Sequence, residues 1–152
     1  MQPAQLLFED VTVGRALPPL IKRPTTAQLF RFSAMTWNAH RIHYDKPYAI
    51  LEGYPDVLVQ SHLHGSFLAQ AVMDWAGPGA RLMNLRWQNR AIATPEDVLT
   101  CTGVVSKVEL REGLGVIECQ LEERNQQDTL CAAGWARVRL PRREDKVTRG
   151  AA

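Results

Sequence analysis

The sequence predicts an α+β domain in which one long antiparallel sheet wraps around a single apolar helix. Three observations carry this. Residues 80–140 contain four β-rich runs separated by short turns, and parallel strands would need crossovers of a dozen residues or more. Residues 61–76 read as one helix with a broad apolar stripe. The chain has 152 residues, enough for one core and too few for two.

In the first half, Thr25 and Thr26 are capping residues for a helix running to about Met35, since a threonine hydroxyl accepts from orphaned N–H groups. Ser61 is read as the cap of the central helix. Leu63, Phe67, Leu68, Ala71, Val72 and Trp75 recur along it at helical spacing, and Gly77-Pro78-Gly79 ends it. In the second half, Met83, Leu85 and Trp87 alternate with Asn84, Arg86 and Gln88, the period of a half-buried strand. Ala93 to Asp97 makes a turn, Val98 to Leu110 a long β-branched strand, and Arg111-Glu112-Gly113 another turn. Ile117, Cys119 and Leu121 alternate with Glu118, Gln120 and Glu122, and Asn125 to Asp128 leads into a last strand from Thr129 to Leu140. The four runs are expected to form a meander. Residues 1–140 form the domain, and 141–152 are a polar, charged tail expected to be mobile or ordered against a partner.

Composition limits the function. With 45% apolar residues, 22% charged residues and a net charge of +2, the chain has no electrostatic case for nucleic acid. The three cysteines are widely spaced and form no C-x-x-C pair, the pattern of a reduced intracellular protein. Neither a secretory signal nor a membrane span is visible. The expectation is a soluble, cytoplasmic protein.

The chemistry-bearing residues lie between Thr36 and Gly65, where all four histidines fall. Such a cluster suits proton transfer or metal binding. His40 and His43, or His62 and His64, with Asp45 nearby make a zinc site conceivable, but no HExxH is present and no metal is expected. No nucleophile elbow, P-loop or G-x-G-x-x-G occurs, so no nucleotide cofactor is expected. The cysteines fall in strand patterns and are read as core or sheet residues.

Asn38-Ala39-His40-Arg41-Ile42-His43-Tyr44-Asp45 resembles the hydratase motif of MaoC-like hotdog proteins, the (R)-specific enoyl-CoA hydratases. That motif reads Asp-x-Asn-Pro-Ile/Leu-His-x-Asp. Without a gap, its His falls on His43, its trailing Asp on Asp45 and its catalytic Asp on Asn38. Phe32 to Asn38 and Glu52-Gly53-Tyr54-Pro55 resemble the branch of mesaconyl-CoA hydratases and 3-hydroxyacyl-thioester dehydratases.

The resemblance implies a hotdog fold that dimerises by joining two sheets edge to edge. It also implies an acyl thioester of coenzyme A or acyl carrier protein as substrate, with no cofactor beyond that thioester arm, and reversible hydration of a 2-enoyl thioester. His43 is then the base and Asn38 positions the water. Asp45 either holds the imidazole tautomer or caps a helix. The family's His-Gly at the head of the central helix falls on Gln60-Ser61, making the Ser61 N–H the oxyanion candidate, with His64-Gly65 as an alternative register. Tyr44 and Tyr54 are candidates for the acyl pocket. Arg31, Arg41, Arg86 and Arg90 are candidates for phosphate or carboxylate, and Arg142, Arg143, Lys146 and Arg149 for an acidic carrier. Two other readings stay open. One is a non-catalytic thioester-binding subunit of a heteromeric dehydratase. The other is a hotdog thioesterase using Glu52 or Asp56.

Overall fold

The structure, a computed structural model, describes residues 5–144. Its elements run in the order β1 (Leu20–Lys22), α1 (Thr26–Thr36), α2 (Lys46–Leu51), α3 (Ser61–Ala76), β2 (Arg81–Asn89), β3 (Leu99–Arg111), β4 (Leu114–Arg124) and β5 (Leu130–Leu140), with short 3₁₀ turns at Phe8–Asp10 and Arg41–His43. The five strands form one antiparallel sheet in the order β1-β3-β4-β5-β2.

The sheet curls around α3. Leu63, Phe67, Leu68, Ala71 and Val72 on the helix are all buried and belong to one core with Leu99, Val105, Ile117, Leu121 and Val138 on the strands. Each such side chain contributes roughly 1.5–3 kcal/mol by leaving water, which makes this contact the main source of the fold's stability. Trp75 packs at its edge. Cys101, Cys119 and Cys131 are fully buried within the same core, where burial pushes all three thiols up and keeps them protonated.

Local chemistry sets the element ends. Thr25 caps α1 by accepting from the Gln28 N–H at 3.2 Å, as expected from the sequence. The β3–β4 hairpin closes through Glu112 and Gly113 at φ 51° and 77°, the pair of positive φ values that a tight two-residue turn requires.

Three expectations are corrected. The four strand runs do not form a simple meander, because β2 pairs with β5 and is separated from β3 by both β4 and β5. The connection 90–98 prevents a β2–β3 hairpin. Its Arg90 N–H donates to the Cys131 carbonyl, the Ala93 carbonyl accepts from Val59, and the Glu96 N–H donates to the Pro24 carbonyl, so the chain crosses to the far side before β3 begins. The cap of α3 is Gln60 rather than Ser61, which is the first helical residue. The start of the tail is docked: the Pro141 carbonyl accepts from the Phe8 N–H, and Arg143 pairs with Asp10. Residues 145–152, with Lys146 and Arg149, lie outside the described residues.

β2 and β1 are the edges. β2 is long enough to present an open ladder of backbone groups along one side.

Candidate functional site

The segment between α1 and α3 builds the site. α1 ends because Trp37 adopts a left-handed conformation at φ 53°. The Trp37 and Asn38 N–H groups both bond the Ser33 carbonyl, closing the last turn. That reversal leaves Trp37 94% exposed and starts the polar loop at Asn38, whose Oδ1 accepts from the His40 N–H at 3.2 Å.

The chain then makes the Arg41–His43 turn, and Asp45 caps α2 by accepting from the Tyr48 N–H at 3.2 Å. Asp45 also takes the Arg41 guanidinium, which lies over the Tyr48 ring at 4.3 Å. The tautomer-holding role considered for Asp45 belongs instead to a backbone group: His43 Nδ1 sits 2.9 Å from the Leu58 carbonyl. A carbonyl oxygen only accepts, so Nδ1 carries the proton and Nε2 keeps its lone pair. Burial lowers the pKa of His43 from its ordinary 6.5. The Leu58 carbonyl opposes that shift, and the nearby His40 adds to it.

The head of α3 is anchored on both sides. Gln60 is fully buried, and its Nε2 donates to the Leu29 carbonyl at 2.7 Å and to Ser33 Oγ at 2.9 Å, tying α3 to α1. On the other side, Trp87 Nε1 donates to the Ser61 carbonyl at 3.0 Å and Ser61 Oγ to Asn89 Oδ1 at 3.3 Å. The first intrahelical bonds start at Leu63 and His64, both donating to the Gln60 carbonyl. Ser61 and His62 therefore hold the orphaned N–H groups of the first turn, at the positive end of the helix dipole.

The His64-Gly65 register is corrected by the same geometry. The His64 N–H is spent on the Gln60 carbonyl, and its ring lies 1% exposed against the fully buried Glu123. A Cβ on Gly65 would come within 2.6 Å of the Trp87 indole, so this glycine serves close packing.

Beside Asn38 is an open trough of about 350 Å³. Phe30, Ala34, Trp37 and Tyr44 wall it, and Ser33 and Asn38 are its polar lining groups. His43 is not in that lining. Tyr44 therefore faces the trough, whereas Tyr54 packs against the core. Arg31 lines a separate depression with Gln28 and Met35. Arg86 lies on the sheet in a hollow with Trp135 and Arg137. Asp56 is held by Lys46 and the Val57 N–H, and Glu52 bonds the Tyr48 hydroxyl, so neither acid named for a thioesterase is unengaged. Among the described residues no three His, Cys, Asp or Glu side chains are grouped to hold a metal ion, and no helix is long and apolar enough to cross a membrane.

Sequence reasoning missed the Leu58 carbonyl, Ser33 and Glu123. Glu123 alone left a signal: it continues the inward register of Ile117, Cys119 and Leu121, where a carboxylate needs a buried partner.

A curled antiparallel sheet closed on one helix is the hotdog fold. The chain superposes on the (R)-hydratase of A. caviae involved in PHA biosynthesis with a TM-score of 0.78 at 21% identity, covering 88% of this chain and 99% of that one. It superposes on a putative MaoC domain protein dehydratase from Chloroflexus aurantiacus with a TM-score of 0.84 at 17% identity, covering 94% of this chain and 42% of that one. Residues 19–95 match the hydroxyacyl-thioester dehydratase type 2 family, and the chain belongs to that family of MaoC-like dehydratases. A mesaconyl-C(4)-CoA hydratase of Chloroflexus aurantiacus is 54% identical over 54 residues, which is 35% of this chain and 18% of the relative.

Proposed function

We propose that the protein catalyses reversible addition of water to a 2-enoyl thioester of coenzyme A or acyl carrier protein. The observation that carries this reading is the His43 ring, held by the Leu58 carbonyl so that Nε2 is free and kept neutral by burial. Nε2 takes a proton from a water positioned by the Asn38 amide, and the oxygen attacks C3 of the enoyl group. Electron density moves onto the thioester oxygen, where the Ser61 N–H and the α3 dipole stabilise the enolate. The His43 imidazolium then returns the proton to C2, so the sum is H and OH added across the double bond. An amide does not exchange protons at neutral pH, so His43 carries the proton in both half-steps.

The family membership and the similarity to a mesaconyl-C(4)-CoA hydratase support this reading over thioester binding alone. The exposed edge of β2 is the proposed seam with a second copy, which would extend the sheet.

The test is a spectrophotometric hydration assay on short enoyl-CoA thioesters with the purified protein. His43→Ala should lower kcat by roughly 10²–10⁴-fold, the range of a lost acid–base group. Full activity in that variant would sink the mechanism. Asn38→Asp tests the water-positioning role, which predicts that activity falls.

A further inference from the structure

We propose that Glu123 is a positioning residue: through His64 it fixes the roll of the first turn of α3 on the sheet, and with it the direction of the Ser61 N–H. What that N–H does rests on the hydration reading. The placement of the turn by Glu123 does not.

Glu123 follows Ile117, Cys119 and Leu121 in the inward register of β4, and it is fully buried. A carboxylate there gives up its hydration. Two groups from two other elements offset that loss. His64 Nδ1 on α3 bonds Oε1, and the Cys101 thiol on β3 donates to Oε2 at 3.5 Å. Burial, reinforced by the carboxylate itself, pushes that thiol up and keeps it a donor.

Apolar side chains of similar volume in place of a buried ion pair are often as stable or more so. Stability alone therefore does not call for a carboxylate at this position. What the pair adds is direction. Apolar contact between α3 and the sheet is non-directional and tolerates rotation of the helix about its axis. A charge-assisted hydrogen bond is short and aligned, and does not.

The head of α3 is held at three places. Gln60 reaches α1 through Leu29 and Ser33. Ser61 meets Trp87 and Asn89 on β2. His64 reaches β4 through Glu123. All three anchors lie at the cap or in the first turn, where the Ser61 and His62 N–H groups have no intrahelical partner. Gln60 and Ser61 are adjacent, so these two leave the turn free to roll, and His64 closes that freedom. Glu123 itself is sealed in the core and acts only through His64.

The experiment compares variants of the full chain. His64→Leu/Glu123→Leu replaces the pair by apolar groups and removes the directed bond. Glu123→Gln keeps an acceptor for His64 Nδ1 and removes the charge. The helix head is read from the NMR resonance of the Trp87 indole N–H, which donates to the Ser61 carbonyl. Trp87→Phe assigns that resonance among the four tryptophans. Thermal unfolding gives stability, and hydration of a short enoyl-CoA gives kcat and KM.

The double variant is expected to unfold at or above the wild-type midpoint with its Trp87 resonance moved. Its kcat should fall roughly tenfold to hundredfold with KM unchanged, as for an interaction used only in the transition state. Glu123→Gln should keep the wild-type resonance and most of kcat. An unmoved Trp87 resonance in the double variant would overturn the proposal. So would a loss of kcat in Glu123→Gln with the resonance in place, which would make the charge and not the position decisive. If the double variant does not fold, Glu123→Asp takes its place with the same expected and overturning results, since it keeps the charge and shortens the reach by one methylene. If the wild type hydrates nothing, the hydration reading falls and the Trp87 resonance still decides the positioning. If the resonance moves and kcat does not, the role given to the Ser61 N–H falls and the positioning by Glu123 stands.

Discussion

Two histidines in this protein occupy opposite settings. His43 lies on a short turn in the segment between α1 and α3, half-buried, with one nitrogen on a backbone carbonyl and the other open. His64, one helix away, is buried beneath α3 against the Glu123 carboxylate. The residue type is the same, and surroundings alone separate a half-buried ring with one nitrogen open from one that holds two elements together. The first region is polar, irregular and built on local turns. The second is an imidazole–carboxylate pair inside an apolar core, where either partner without the other would be left unsatisfied.

The comparison can be broken most directly at Glu123. Glu123→Ala strands His64 in the core and should cost about 3–5 kcal/mol of stability, measured by urea denaturation. A loss within experimental error would show that the pair does not hold α3 to β4. His43→Ala should do the opposite, lowering hydration as stated while changing stability by no more than about 1 kcal/mol, the worth of one hydrogen bond. A large drop in its unfolding midpoint would place His43 in the structural class.

Gly65→Ala tests the wall between the two regions. Its Cβ would press on the Trp87 indole, which also anchors Ser61. Overpacking of this kind costs about 1–3 kcal/mol, and displacement of the helix head should lower kcat as well. Unchanged kcat with reduced stability would separate the packing of α3 from the placement of the Ser61 N–H.

The pH profile sharpens the contrast further. Burial holds the His43 pKa below its ordinary 6.5. As pH falls through that value the unfolded chain takes up the proton and the folded chain does not, so His43 removes stability only in acid. The same shift keeps the imidazole unprotonated, and if it is the base proposed above the acid limb of kcat/KM should fall below pH 6.5. A limb above that pH would place a different group in control. The smallest effect expected is from Thr25→Ala, which loses the α1 cap at about 1 kcal/mol with activity kept.

Much of this was legible from residue spacing. The apolar stripe from Leu63 to Val72 located the central helix, the Thr25 cap located α1, and the Glu112-Gly113 pair marked a hairpin. Those signals are local, and the chemistry that produces them lies within one turn or one strand. The match of Asn38, His43 and Asp45 to a hydratase motif likewise pointed to the family that residues 19–95 match. Strand order was not legible, because β2 pairs with β5 through a backbone ladder and the 90–98 connection is tied by backbone bonds to Cys131, Val59 and Pro24, which no side-chain pattern records. Asp45 had two readings in sequence, and its distance to the Tyr48 N–H decides for the cap.

The sequence by itself determined which residues form the helix and the strands, and which short stretch holds the titratable groups, since periodicity and turn chemistry act between neighbours. The tertiary structure alone decided which of those groups face solvent, which carbonyl holds the His43 tautomer, and that the Gln60 side chain at the α3 cap turns inward to Ser33 and makes no bond to the first turn of its own helix. Those outcomes depend on contacts between residues far apart in the chain, such as His64 with Glu123 and Leu29 with Gln60. They exist only once the sheet has closed around α3.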